Sequence, residues 1–239
     1  MAFPTIANAD TTFGTVTGNS DSWTLTYPTN IAAGDLLVAF VSTDGNTNPS
    51  FPAGWISFTV ALGKPQTSTV AKFLANGTET GTFTLSLGAA EQGAWRIFRI
   101  PAASWEGTIG TLMLGSTAGA CQATGADGIS DSPNSGNLNP FNWDVEDTLW
   151  IAMMGCDTSR SISAYPLPDR QTADISGGAN GATLGICTVE SAVASLTPGA
   201  FTISTSDDWE AILVAIRPAA VVAAERVPRS TPYPQLLAH

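Results

Sequence analysis

The second half of this 239-residue chain repeats the first in outline, and a chain made of two like halves has few folds open to it. An acidic turn feeds an apolar run twice, as DLLVA at 35–39 and as DTLWIA at 147–152. GTFTLS at 81–86 is echoed by GAFTIS at 199–204. Each echo is followed by a short polar turn and an apolar run, ending Ile100-Pro101-Ala102 in one case and Ile216-Arg217-Pro218-Ala219 in the other. The matched points lie 112, 118 and 116 residues apart, which indicates an internal duplication with changes in loop length.

The repeated units read as strands. Phe83, Leu85 and Leu87 alternate with Thr82, Thr84 and Ser86, the period of a half-buried strand. Similar runs begin at Trp23, Gly34, Trp55, Ser68 and Ala94, separated by Asp44-Gly45-Asn46, Pro52-Ala53-Gly54 and Asn76-Gly77, which favour tight reversals. With 23 Gly, 15 Pro and only 12% charged residues, long helices and coiled coils are disfavoured. The expectation is an all-β, jelly-roll-like antiparallel β-sandwich over residues 1–219, built from similar halves at about 20–116 and 140–219. Two independent domains of about half that size are the alternative. The Gly-, Ser- and Asn-rich stretch 117–143 reads as the connecting loop, and SGGANGATLG from Ser176 as a turn region, because it lacks the Lys-Ser/Thr of a phosphate loop.

After Ala219 the texture changes. Residues 1–216 carry 6 basic and 19 acidic groups, whereas 217–239 carry three arginines against Glu225, so a basic, Pro-rich arm follows an acidic body. The arm, residues 220–239, reads either as a frayed tail or as an extended segment that docks on a neighbour through Arg226, Arg229, Tyr233, Leu236 and Leu237. The net charge of −11 disfavours nucleic-acid partners. The N-terminus has no basic start with an apolar run behind it, and no stretch nears 18 apolar residues, so neither secretion nor membrane insertion is expected.

Chemistry-bearing motifs are sparse. His239 is the only histidine, which leaves no Ser-His-Asp or Cys-His arrangement and no histidine metal site in the body. Cys121, Cys156 and Cys187 form no CxxC and read as buried, reduced thiols. Two carboxylate clusters, Asp144 with Glu146 and Asp147, and Asp207 with Asp208 and Glu210, precede matching strands. They read as solvated turns, with a calcium site or a glycan-hydrolase pair as alternatives. Trp55, Trp105 and Trp143 sit in loop-like contexts, FPAGW, SWEG and FNWD, which suit either a sugar-stacking platform or the closing of sandwich ends. Trp95, Trp150 and Trp209 read as sheet-packing residues. No cofactor or metal is expected.

The segments GDLLVAFVSTDGNTNPSFPAGW, EQGAWRIFRI, EDTLWIAMMGCD, YPLPD and DDWEAILVAIRPA together resemble a widespread group of tailed-bacteriophage and prophage proteins of jelly-roll-like β-sandwich type. The resemblance covers roughly residues 34–219 and rests on the order of several segments. It implies a non-enzymatic virion component made in the host cytoplasm, a homo-oligomer contacting other phage capsid or tail proteins. Head decoration, head fibre and tail or adsorption device are all open, and a carbohydrate-binding host-adsorption module is the alternative. A carboxylate-based glycan hydrolase ranks third.

Overall fold

The computed structural model describes residues 2–6, 11–60, 65–108, 120–177 and 181–220. The first half forms β1 (Thr11–Thr26), β2 (Leu36–Thr43), β3 (Ile56–Val60), β4 (Thr67–Leu74) and β5 (Thr82–Ile100). The second forms β6 (Cys121–Ser130), β7 (Asp147–Cys156), β8 (Ile162–Ala164), β9 (Asp169–Ile175), β10 (Thr183–Ala192), β11 (Thr202–Ile203) and β12 (Asp207–Ile216). Two five-stranded antiparallel sheets result, ordered β1-β5-β2-β4-β3 and β6-β12-β7-β10-β9, and they pack face to face as the expected sandwich. A two-stranded β8–β11 piece belongs to neither ladder and packs on the outer face of the second sheet through Ile162 and Ile203.

The two orders are the same order. Exchanging β1, β2, β3, β4 and β5 for β6, β7, β9, β10 and β12 turns one sheet into the other. The register agrees residue by residue: Leu36 pairs with both Ile100 and Leu74, and Leu149 pairs with both Ile216 and Glu190. β5 and β12 are therefore offset by 116 residues, as are β4 and β10, while β2 and β7 are offset by 113. Each half completes its own sheet before the next begins, so the duplicated units are stacked and not interleaved.

The echoed GTFTLS and GAFTIS segments occupy like places with unequal ladders. Residues 82–86 open β5 and pair with the end of β1, Leu25 opposite Phe83 and Trp23 opposite Leu85. In the second half the Phe201 and Ile203 amides donate to the carbonyls of Pro133 and Asp131 at 2.8 and 3.0 Å, but Pro133 has no N–H to return. The ladder there shrinks to β11, which pairs with β8 instead.

Stretch 117–143 departs from the sequence expectation, because Cys121–Ser130 within it is the edge strand β6. Its sequence, CQATGADGIS, lacks bulky alternation because its large partners lie on β12. Gly128 pairs with Trp209, and a Cβ there would stand 2.5 Å from the indole. The first sheet repeats the device: Gly14 pairs with Trp95, and a Cβ would stand 2.8 Å from that ring. Small edge residues thus seat a tryptophan of the neighbouring strand.

Three apolar layers hold the body together. Between the sheets lie Val38, Phe40, Val70 and Phe98 from one side and Ile151, Met153, Ile186, Ile212 and Val214 from the other. The outer face of the first sheet buries Trp23, Leu37, Val41, Leu85 and Trp95, and that of the second buries Trp150, Met154, Trp209 and Leu213 under the loops that cross it. Central strands covered on both faces lose their alternation, which is why β2, β7 and β12 read as near-continuous apolar runs. Cys121, Cys156 and Cys187 are buried and free, as expected. Burial pushes the Cys187 thiol up to about 12, so it is inert as a nucleophile.

Candidate functional site

The three loop tryptophans do not form one platform. Trp105 is 1% exposed, and its indole N–H donates to the Gly34 carbonyl at 3.0 Å. Its backbone bridges to Pro218, and the Ala219 amide donates to Ser104 at 3.2 Å, so the ring ties the link after β5 to the end of β12. Trp143 is buried too, 5.8 Å beneath the Arg217 guanidinium. Trp55 is half-buried and stacked against Phe73 and Phe83 at 5.3 and 5.4 Å, with Phe51 at 5.2 Å. The platform expectation is therefore corrected: rings that close sandwich ends spend their faces on the core, and Trp105 and Trp143 have none left for a sugar. Trp95, Trp150 and Trp209 pack on the sheets as expected.

The carboxylate clusters are likewise separated. β7 and β12 run antiparallel, so Asp144, Glu146 and Asp147 lie at one end of the second sheet and Asp207, Asp208 and Glu210 at the other, roughly 27 Å or more away at about 3.4 Å per residue. A glycosidase needs its two carboxyl groups about 5–9.5 Å apart. Glu146 instead receives two hydrogen bonds from Arg217, at 2.6 and 2.5 Å. Glu210 is fully buried between the sheets and accepts from the Ser68 amide at 2.5 Å. Among the described residues no three His, Cys, Asp or Glu side chains gather in a metal-holding group. The arm residues Arg226, Arg229, Tyr233, Leu236 and Leu237 lie outside the described residues.

What sequence reading missed is a pair of carboxyl pairs. Asp157 follows β7 directly and shares a hydrogen bond with Asp207, the first residue of β12. Asp207 is held by the Thr158 hydroxyl, by Arg160 Nε at 2.8 Å and by the Asp208 amide at 3.0 Å. Offsets of 113 and 116 carry this pair onto Asp44 and Glu91, which also share a hydrogen bond, with Asp44 accepting from the Gln92 amide at 2.7 Å. The duplication has kept an acidic pair at the same end of both sheets. The signal was available, an aspartate directly after each matched strand, but two carboxyl groups distant in sequence become neighbours only through strand pairing.

Burial first, and then the shared hydrogen bond and charge of Asp207, push Asp157 up to about 7, while Arg160 opposes the shift. Glu91 is raised for the same leading reason. The folded protein therefore keeps the Asp157 proton over the range from about pH 4 to 7, where the unfolded chain has lost it, so stability falls as pH rises through that window. Asp157→Asn should flatten the fall. At pH 8 the variant should be more stable than the parent by on the order of 1–2 kcal/mol, a figure already reduced for solvent screening. Urea titrations at pH 5 and pH 8 check this, and a parent whose stability changes no more than the variant's between them contradicts it.

A cleft of about 450 Å³ lies beside Tyr27, lined also by Asn30, Glu79 and Gly81. The Glu79 carboxylate is occupied by the Asn76 and Gly77 amides, at 3.1 and 3.0 Å, so it shapes the turn. No helix among the described residues is long and apolar enough to cross a membrane. No protein-family profile matches the chain, and neither does a curated protein or a solved structure.

Proposed function

We propose that this chain is a non-enzymatic structural subunit of a tailed-bacteriophage particle, a capsid decoration or head-fibre protein on the particle exterior, assembled as a homo-oligomer. The observation that carries this reading is the way the chain spends its side chains. Large apolar and aromatic groups fill three stacked layers, and the acidic groups proposed for chemistry are engaged in ion pairs and turns at opposite ends. Such a body is a rigid spacer. The resemblance to phage proteins supplies the particle, and physical features suggest which end attaches to it.

Leu74, Phe141 and Val145 are exposed apolar residues near the end of the sandwich where β12 finishes and the arm departs. Gln122 exchanges two hydrogen bonds with the Phe141 backbone, and Val145 precedes the Glu146–Arg217 ion pair, which places both beside the last described residues. The arm, residues 220–239, carries Arg226 and Arg229 against Glu225, a net charge of +1, against −12 over residues 1–219. An arm of this charge is attracted to a second acidic body, in a salt-sensitive way. Truncation after Ala219 should leave the thermal midpoint unchanged and reduce incorporation into particles at least about tenfold, the equivalent of 1.4 kcal/mol. Mass spectrometry of purified particles measures the occupancy, and unchanged occupancy contradicts the reading.

A further inference from the structure

The end of the sandwich from which the chain runs on past Ala220 also carries the cleft beside Tyr27. Contacts link the two step by step. The Ala219 amide donates to the Ser104 carbonyl at 3.2 Å, and the adjacent Trp105 indole donates to the Gly34 carbonyl at 3.0 Å. Next to Gly34, the Ala33 nitrogen lies 2.9 Å from where a Cβ on Gly77 would stand, and Gly77 lines the cleft. Exit and cleft therefore share one end of the body.

The cleft is an aromatic and aliphatic trough. Pro28 is buried and Tyr27 and Ile31 are half-buried, whereas Thr26, Asn30 and Thr80 on the rim are exposed. Phe83 packs against the Tyr27 ring at 4.6 Å between centroids, and Trp55 stacks on Phe83 at 5.4 Å, so Tyr27 ends a row of rings that holds it in place. Asn30 and Gly81 hold left-handed backbone, with φ of 59° and 69°, which sets the turns on the two walls. Glu79 is engaged by the Asn76 and Gly77 amides, so ion pairing is not what the cleft supplies. It suits a ligand of rings and methylene groups, and its volume of about 450 Å³ falls inside the roughly 300–1,000 Å³ of small-ligand sites.

We propose that this cleft receives the Pro-rich segment 228–234 of a neighbouring copy, with its proline rings and Tyr233 laid against Tyr27, Pro28 and Ile31. The inference rests on the arm-attachment reading above and names the receptor for it. The segment, PRSTPYP, has the composition of an extended ligand whose rings dock in aromatic-lined grooves at low ordering cost. Twelve positions separate Ala220 from Pro232, and they span about 37 Å at about 3.1 Å each, enough to cross from one body to the next. Prolines at 228, 232 and 234 stiffen the chain against folding straight back on the body it leaves. Because exit and cleft lie at one end, two copies that meet there exchange both arms across a two-fold axis. Arg226 and Arg229 add attraction to the acidic neighbour from a distance and need no carboxylate inside the cleft.

Cross-linking of the full chain tests this. Thr80→Cys on the cleft rim combined with Gln235→Cys in the arm, treated with a short bis-maleimide, should give covalent dimers on a denaturing gel. Cys121, Cys156 and Cys187 are buried and stay silent. Adding Thr26→Trp, at an exposed position whose new ring fills the cleft, should cut the dimer yield at least about tenfold with the thermal midpoint unchanged. Phe141→Cys with Gln235→Cys probes an exposed apolar position outside the cleft and should link little. A link formed only within one chain, or an undiminished yield with Thr26→Trp, overturns the proposal. Efficient linking through Phe141→Cys and not through Thr80→Cys overturns the cleft but leaves arm attachment standing. No dimer from either pair also overturns the cleft, and full particle occupancy after truncation overturns arm attachment with it.

Discussion

Asp174→Ala should destabilise the sandwich by about 3–5 kcal/mol, the cost of leaving a buried cation without its partner. Arg96 and Asp174 have side-chain exposures of 10% and 6%, so water cannot take over the vacated hydrogen bonds. The reverse holds when both members change together. Arg96→Ile combined with Asp174→Val copies the residues at the register-matched positions of the duplicated strands, Ile212 in β12 and Val60 in β3. That double variant should fall within about 1 kcal/mol of the parent or exceed it, because a buried ion pair and well-packed apolar side chains are near neutral in exchange. Urea unfolding of the parent, the single and the double variant measures both numbers. A single variant as stable as the double would show that the pair is solvated and that the register-matched positions are not comparable.

Trp105→Ala should cost about 3–5 kcal/mol, the usual penalty for emptying a fully buried indole site. The ring contacts the inter-sheet core and its N–H satisfies the Gly34 carbonyl, so truncation leaves a cavity and an orphaned acceptor together. The loss also loosens the Trp105–Pro218 bridge through which the first half holds the end of the second. Trp55→Ala, at a half-buried ring, should cost less. Denaturant unfolding ranks the two, and a Trp105→Ala protein within about 1 kcal/mol of the parent would show that the ring is not a core element.

The fold was legible where the duplication was. Ile100 and Ile216 gave an offset that the strand register reproduces, because matched burial patterns fix matched strand paths, whereas the GAFTIS echo of GTFTLS pairs with β8 and leaves that register. β6 was not legible. An edge strand made of Ala, Gly and Thr shows no alternation of its own, and its place is set by Trp209 on its neighbour. The tryptophan platform failed for a related reason: FPAGW, SWEG and FNWD look alike as loops, and only packing reveals which ring faces inward. The acidic pairs join residues 47 and 50 positions apart, Asp44 with Glu91 and Asp157 with Asp207, and the Arg96–Asp174 ion pair joins residues 78 apart, so no local pattern announces them.

The particle assignment is tested most directly by a reconstruction of the native phage particle that produces this chain. The account predicts sandwich-shaped density in several symmetry-related copies on the particle exterior, with residues 220–239 in contact with a neighbouring subunit. Particles that lack the chain altogether, or that carry it with residues 220–239 touching nothing but their own sandwich, contradict it.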